Sequence, residues 1–247
     1  MSGTGAQREL IREHAFNSAW LGRRTGLIED VAFFASPLED RLRALDGFAL
    51  VELRAPLSNQ LPHAEIARTG FFLADTQLHF RIGLAAVAAL PQGPSLAALE
   101  VVPALAEPFT VRADEMAPFQ HERFLLVPGV SQEKLAERYA RWSNELIEKA
   151  PRTCVRLVSQ GKTQGWFLSE PDGGLLRLAL AMAHRGAAMS GMLLYQRALA
   201  HYGATGHRVG HAGFSVSNTS VHNVYARLGA QFTAPEGRWL WVTGARP

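Results

Sequence analysis

An asparagine, a tyrosine and a leucine-glycine pair follow one another near the end of the chain. Asn218 opens a run whose apolar residues recur every three or four positions, and Tyr225 lies seven residues further on. An Asn side chain accepts from the free N–H groups of a first helical turn, and Gly229 suits the position that ends a helix. The pattern predicts a helix from Asn218 to Gly229, followed by a strand over residues 232–242. A phenol with a pKa of about 10 is protonated at neutral pH, so Tyr225 is a candidate general acid or else a core aromatic.

A segment of mostly small residues, 185–191, joins a predicted strand (Leu175–Ala183) to a predicted helix that runs to about Tyr202. Small residues let the backbone turn tightly, so that successive N–H groups and the positive end of the helix converge on an anion. The segment therefore predicts a phosphate-binding loop. A plain tight turn between a strand and a helix is the alternative.

Taken together, the two segments resemble the GNAT superfamily of acetyl-CoA-dependent N-acetyltransferases. Asn218, Tyr225 and the Leu228-Gly229 pair match the closing helix of that family, with Ala230 where an aromatic is usual. The resemblance implies that Tyr225 protonates the departing thiolate and that acetyl-CoA is the acyl donor.

The loop matches the family's pyrophosphate motif less closely. Arg185 and Leu193 fall on motif positions, whereas Ala188 and Ser190 replace its two small, usually glycine, positions. The donor-binding residues that the resemblance implies are Met182, Ala183, Arg185, Gly186, Ala187, Ala188, Met189, Ser190, Gly191 and Asn218.

The acceptor side is less readable. A looser similarity to bacterial TDP-fucosamine acetyltransferases implies a nucleotide-linked amino sugar as acceptor and a homodimer as the assembly. In such an enzyme Arg123 and Arg141 would contact the diphosphate, since guanidinium groups pair with phosphate. Another amine, an antibiotic-like metabolite, a protein N-terminus or a non-catalytic CoA-binding scaffold remain alternatives. The candidates for the general base stay open, and they are His184, His211, His222 and Glu122.

The first part of the chain carries an imperfect copy of the last. At an offset of 159, the pair Ser58-Asn59 falls on Ser217-Asn218 and Gly70 falls on Gly229, with six identities in thirteen positions. Ile66 stands where Tyr225 stands. We therefore expect an α/β fold of two GNAT-like lobes with a mixed, mostly antiparallel sheet. The predicted division is a degenerate lobe over 1–90, a linker over 91–108 and a catalytic lobe over 109–247.

Composition excludes several classes of protein. The 247 residues are 47% apolar, enough for a packed core, and the formal charge of +3 is too small to indicate a nucleic-acid partner. Cys154 is the single cysteine, so neither an intramolecular disulfide nor a cysteine metal site is expected. No apolar stretch approaches the roughly 20 residues of a membrane helix, and no leader is recognisable. We expect a cytoplasmic protein without metal.

Overall fold

The computed structural model describes residues 10–244, which divide into two units. The first unit comprises residues 10–78 and 234–244, and the second comprises residues 79–233. Each unit contains helices and a sheet in which most neighbouring strands are antiparallel. The predicted α/β class with a mixed, mostly antiparallel sheet is therefore confirmed.

The first unit is built around a five-membered strand order, β1-β2-β3-β11-β4, in which only β2 and β3 are parallel. Its core includes Phe33, Phe48, Ile66 and Trp239. Its elements are β1 (Arg12–Glu13), α1 (Ala15–Leu21), β2 (Thr25–Ile28), a 3₁₀ turn (Val31–Ala35), α2 (Leu38–Leu45), β3 (Leu50–Pro56), α3 (His63–Arg68), the first part of β4 (Phe72–Gly83) and β11 (Glu236–Val242).

The second unit has the strand order β4-β9-β8-β7-β6-β5, with β10 beside β4. Here β8 and β9 are the parallel neighbours. Its elements are the end of β4, α4 (Leu84–Ala88), α5 (Pro94–Ala97), β5 (Glu100–Pro103), two 3₁₀ turns (Ala113–Glu115 and Arg123–Leu126), α6 (Gln132–Lys149), β6 (Cys154–Ser159), β7 (Lys162–Asp172), β8 (Leu175–Ala183), α7 (Gly191–Ala204), β9 (Val209–Ser215), α8 (Thr219–Arg227) and β10 (Gln231–Phe232).

Local sequence signals account for the best-predicted elements. Helix α6 has the bounds that its flanking residues favour, because Ser131 accepts from the N–H of Lys134 at 3.2 Å and Pro151 follows its end. Its stripe of Leu135 and Leu146 is buried. Strand β8 has the predicted bounds, and α8 starts after Asn218 as expected.

Other sequence predictions were wrong. The expected linker over residues 91–108 contains α5 and β5 and lies within the second unit, where Leu96 and Leu99 are buried. The expected strand over 232–242 is two strands, β10 and β11, interrupted around Pro235. Strand β11 pairs with β3 and β4 in the first unit, whereas the predicted boundaries assigned it to the second lobe.

The copied segments adopt the same local structure, each within its own unit. The N–H of Phe71 donates to Ile66 O at 3.2 Å, and at the same offset the N–H of Ala230 donates to Tyr225 O at 3.0 Å. Gly70 and Gly229 have φ values of +90° and +82°, a left-handed conformation that favours glycine after a helix. The internal repeat is therefore a repeat of structure.

Candidate active site

Strands β8 and β9 run side by side for two residue pairs and then part. Leu176 lies opposite Gly210 and Arg177 opposite His211, and within the described residues no strand pairs with the β9 side of β8 beyond this point. Backbone N–H and C=O groups on that edge of residues 178–182 are open to an extended ligand, which can bind as an added strand does. Gly210 lies against β8, since a Cβ at this position would be 3.1 Å from Leu178 Cδ1.

Tyr225 lies on α8 within an aromatic cluster. Its ring centroid is 4.0 Å from that of Phe80, 5.2 Å from that of Tyr195 and 5.9 Å from that of Phe214, which belongs to β9. The side chain is buried, and burial raises the pKa of the phenol well above its usual value of 10. Among the described residues its hydroxyl has no hydrogen-bond partner. Tyr225 is therefore a neutral phenol at neutral pH.

Asn218 caps the helix that carries Tyr225. Its side-chain Oδ1 accepts from the N–H of Val221 at 3.2 Å, which satisfies one of the free donors of the first turn. The cap follows the end of β9 directly, so α8 begins at the mouth of the gap. The prediction that Asn218 contacts the donor stays a prediction.

Backbone N–H groups of the loop before α7 are partly occupied. The N–H of His184 donates to Gln164 O at 2.9 Å, and that of Arg185 donates to Glu115 O at 2.7 Å. The next two N–H groups, of Gly186 and Ala187, turn back to the Nδ1 and O atoms of His184, both at 3.0 Å. The N–H groups of His184 and of the first three residues of the predicted loop thus hold the turn in place.

The side chain of Gln164 takes the following two N–H groups. Its Oε1 accepts from the N–H of Ala188 at 2.9 Å and from that of Met189 at 3.2 Å. The next N–H groups, of Ser190, Gly191 and Met192, have no acceptor within the part of the chain that the structure describes. They open the 14-residue helix α7, whose N-terminal end carries partial positive charge. An anion at this loop would therefore meet these three donors.

The segment that precedes α6 contacts the ends of both parting strands. Ala117 donates its N–H to Ala183 O at 3.1 Å at the end of β8. His121 Nδ1 lies 3.1 Å from Ser217 Oγ, which in turn lies 2.7 Å from Ser215 Oγ at the end of β9. Residues 117–121 thus extend from the end of β8 to the end of β9. No sequence signal marked His121.

The guanidinium of Arg185 is exposed beside two acidic residues. Its charge contributes to lowering the pKa of Asp114, after the larger effect of a hydrogen bond from Arg112. It also contributes to lowering the pKa of Glu133, after the larger effect of the Ser131 hydroxyl. Arg185 therefore lies on the solvent side of the loop, available to an anionic ligand. Among the other predicted residues, the side chain of Met182 is buried, and its sulfur lies 3.9 Å from Ser143 Oγ.

The two predicted acceptor arginines differ in environment. Arg123 lies in a 3₁₀ turn, 3.3 Å from Glu122 Oε1 and with its guanidinium carbon 4.4 Å from the Phe124 ring centroid. Arg141 is half exposed on α6 and pairs with Glu145 one turn along the helix at 3.0 Å. A solvated ion pair of this kind is typical of a helix surface. Of the two, Arg123 is the one held by a partly buried cluster.

The four candidate bases are also separated. Glu122 accepts from the hydroxyl of Tyr139, His184 packs 5.6 Å from Trp166 between ring centroids, and His222 packs 4.8 Å from Phe232. His211 stands opposite Arg177 where the strands part, with Nε2 3.0 Å from an Asp172 carboxylate oxygen, although the angle is not that of a hydrogen bond. His211 is therefore the candidate nearest the narrow end of the gap.

Other features lie outside this arrangement. A cleft of 750 Å³ is lined by residues such as Lys149 and His201, and none of the predicted site residues contributes to its walls. Across residues 10–244, no group of three or more His, Cys, Asp or Glu side chains is placed to hold a metal ion. Within that same range, no helix combines the length and apolar character needed to cross a membrane.

No protein-family model matches the sequence, and no curated protein matches it either. Solved structures do share its fold. A GCN5-related N-acetyltransferase from Sphaerobacter thermophilus has a TM-score of 0.54 at 18% identity, with 83% of this chain and 64% of that chain covered. This chain thus spans slightly less than two thirds of that protein's length.

A tandem GNAT protein from the clavulanic acid biosynthesis pathway has a TM-score of 0.54 at 14% identity, covering 92% of this chain and 77% of that chain. A conserved Staphylococcus epidermidis protein of unknown function has the same TM-score at 11% identity, covering 88% and 83%. At these identities the likeness establishes the fold alone. The chain has the fold of GCN5-related N-acetyltransferases. The match to the tandem protein covers nearly the whole of this chain.

Proposed function

We propose that this chain is an N-acetyltransferase that moves an acetyl group from acetyl-CoA to the primary amine of a small molecule. The observation that carries the proposal is the parting of β8 from β9 after two residue pairs, beside the buried phenol of Tyr225. A closed parallel pair would leave no backbone edge for an acyl arm. The GNAT fold of the chain makes acetyl-CoA the donor to test.

The loop and the gap suggest how the donor binds. The pyrophosphate would accept hydrogen bonds from the N–H groups of Ser190, Gly191 and Met192 and pair with the exposed Arg185. The pantetheine arm would then run between β8 and β9, where its amides replace the missing strand partners. Met182, Ala183 and Asn218 stand at the mouth of this path as proposed donor contacts.

The chemistry needs a hydrogen-bond donor to the oxyanion, a proton for the thiolate and an acceptor for the proton of the amine. The nitrogen lone pair of a neutral amine attacks the thioester carbon, so a C–N bond forms as the carbonyl oxygen gains charge. A free backbone N–H on the open edge of β8 can stabilise that oxyanion. The C–S bond then breaks, and the thiolate takes the phenolic proton of Tyr225. The nitrogen of the tetrahedral adduct carries the extra proton and loses it to His211 or to water, and Tyr225 regains a proton from solvent.

For the acceptor, we propose a nucleotide-linked amino sugar bound by a homodimer. Arg123 supports this choice because it is a partly buried cation in the segment before α6, although it already pairs with Glu122. Arg141 is a weaker candidate because it pairs with Glu145 in solvent. An Arg123→Ala variant with a raised KM for the sugar nucleotide and an unchanged KM for acetyl-CoA would support this acceptor. Native mass spectrometry tests the dimer.

Calorimetric titration with acetyl-CoA, in the absence of any acceptor, tests the donor half. We expect binding in about the micromolar range, with a clear loss of affinity in Arg185→Ala. Arg152→Ala is the matched control, because Arg152 is also an exposed arginine of the second unit but lines the separate cleft. Acetylation of an amine panel follows. Absence of donor binding would exclude the enzyme, whereas binding without turnover of any amine would favour a CoA-binding scaffold.

A further inference from the structure

Gln164 contacts the predicted phosphate loop in a way that the sequence did not indicate. It lies near the start of β7, next to Gly165, which pairs with Ala183 at the end of β8. Its side chain is buried, with 4% of the residue exposed. A buried polar side chain needs hydrogen-bond partners, so its contacts report what it does.

Both polar atoms of this side chain have hydrogen-bond partners. The Oε1 atom accepts from the N–H groups of Ala188 and Met189, and the Nε2 atom donates to Lys162 O at 3.2 Å. An oxygen that accepts from two successive N–H groups of a small-residue loop occupies the place that an anion oxygen takes in a backbone anion site. Here the acceptor is neutral, and it belongs to the chain itself.

Two consequences follow for a ligand at the loop. The N–H groups of Ala188 and Met189 are committed to Gln164, so the next three, which begin α7, are left for an anion. The loop is also held in one conformation before the ligand arrives, which reduces the ordering cost of binding.

We propose that Gln164 is a positioning residue for the donor, which fixes the loop and must carry no charge for the pyrophosphate to bind beside it. The inference rests on the proposed function, because it assigns the pyrophosphate of acetyl-CoA to this loop. It adds a residue that affects donor binding from β7, outside both the loop and the helix that carries Tyr225.

Gln164→Glu separates this role from a merely structural one. The carboxylate keeps the shape and both acceptor contacts, but it places negative charge one to two residues from the anion-binding N–H groups. We expect the dissociation constant for acetyl-CoA to rise by about tenfold or more, as like charges at this range repel. S-acetyl-pantetheine lacks the pyrophosphate, and its dissociation constant should change by less than about twofold. Calorimetry with both thioesters gives both readouts.

Gln92→Glu is the matched control. Gln92 also accepts through Oε1, from Arg197 Nη1 at 3.2 Å, so the substitution adds the same charge to the same unit without touching the loop. Its acetyl-CoA affinity should equal that of the wild type. Equal acetyl-CoA affinity of Gln164→Glu and Gln92→Glu would overturn the proposal, and so would an equal loss for the two thioesters in Gln164→Glu.

Gln164→Met covers the case in which the buried carboxylate prevents folding. Methionine fills the same space but cannot accept from the two N–H groups, so the loop loses its fixed conformation. We expect acetyl-CoA to bind about fivefold more weakly, since immobilising a loop opposes binding, and S-acetyl-pantetheine to bind as before. Equal or tighter binding of acetyl-CoA overturns the positioning role. If the wild-type chain itself does not bind acetyl-CoA, the proposed function fails together with this inference.

Discussion

The two units contain the same succession of elements, but they differ in how their two parallel strands pair. In the first unit β2, α2, β3 and α3 follow in order, and in the second β8, α7, β9 and α8 do so. Strands β3 and β9 have the same length at the repeat offset. All four residues of β2 pair with β3, whereas β8 pairs with β9 at two positions only. The first parallel pair is therefore closed along β2 and the second is open.

The helices after these strands show the second difference. Ile66 and Tyr225 occupy equivalent positions, both buried and both followed by the same glycine turn. The helix, its glycine end and the following strand do not require the phenol, because isoleucine serves equally well in the first unit. What distinguishes the second unit is a phenol on this helix, together with parallel strands that pair at only two positions.

The largest effect is expected at the hydroxyl itself. Tyr225→Phe keeps the ring that packs on Phe80 but removes the proton donor, so kcat should fall by about a hundredfold. The dissociation constant for acetyl-CoA should not change, because the ring contacts are kept. Steady-state kinetics beside calorimetry checks both. Unchanged turnover would make Tyr225 the structural equivalent of Ile66.

Substituting the glycine after each repeated helix should lower local stability by a similar amount in both units. Gly70→Ala and Gly229→Ala each force a left-handed conformation on a residue with a Cβ, which costs about 1–2 kcal/mol. Hydrogen exchange should show this loss in the segment around each substitution. Gly93→Ala is the control, because Gly93 has a φ of −66° and open space around its Cβ position. A loss at only one of the two turns would mean that the repeated hydrogen bonds are not energetically equivalent.

A smaller effect is expected at the position that replaces the tyrosine. Ile66→Val removes one buried methylene and should lower the free energy of unfolding of the first unit by about 1 kcal/mol. Turnover should stay at the wild-type value, since Ile66 lies in a unit whose parallel strands are closed. Denaturant unfolding and kinetics on the same preparation measure the two quantities. A parallel fall in turnover would assign the first unit a part in catalysis.

The smallest expected difference between the units is in how far alkaline pH lowers their stability. All four tyrosines belong to the second unit, and burial raises the pKa of each phenol. The unfolded chain ionises its phenols near pH 10 while the folded chain keeps them neutral, so stability is intact below that pH and falls as pH rises through it. The loss is about 0.4 kcal/mol per tyrosine at pH 10. Hydrogen exchange at pH 9 and 10 should show it in the second unit only.

Local signals predicted local structure well. Ser131 and Pro151 bracket α6, and the Asn218 cap with Gly229 brackets α8, because capping depends on neighbours in sequence. The α/β fold class was also predicted correctly, because the loop and the closing helix that indicated it are local segments. The pairing of β11 with the first unit was missed, since the residues of a strand do not show which other strands it pairs with.

The site shows the same limit. The small-residue loop was found, but no sequence signal marked Gln164, which lies twenty-four residues before Ala188 in the chain. Its role depends on the register of β7 against β8, which a single sequence does not reveal. Arg141 was singled out by residue type, and its pairing with Glu145 follows from helical spacing that a charge pattern also contains.

Strand β11 has a consequence for how the protein is made. It lies between β3 and β4 in the first unit, yet it is synthesised after every other strand that the structure describes. During translation the second unit has all of its residues before the first unit can close its sheet. The N-terminal part must therefore wait with an open strand edge, a natural target for chaperones, until residues 236–242 leave the ribosome.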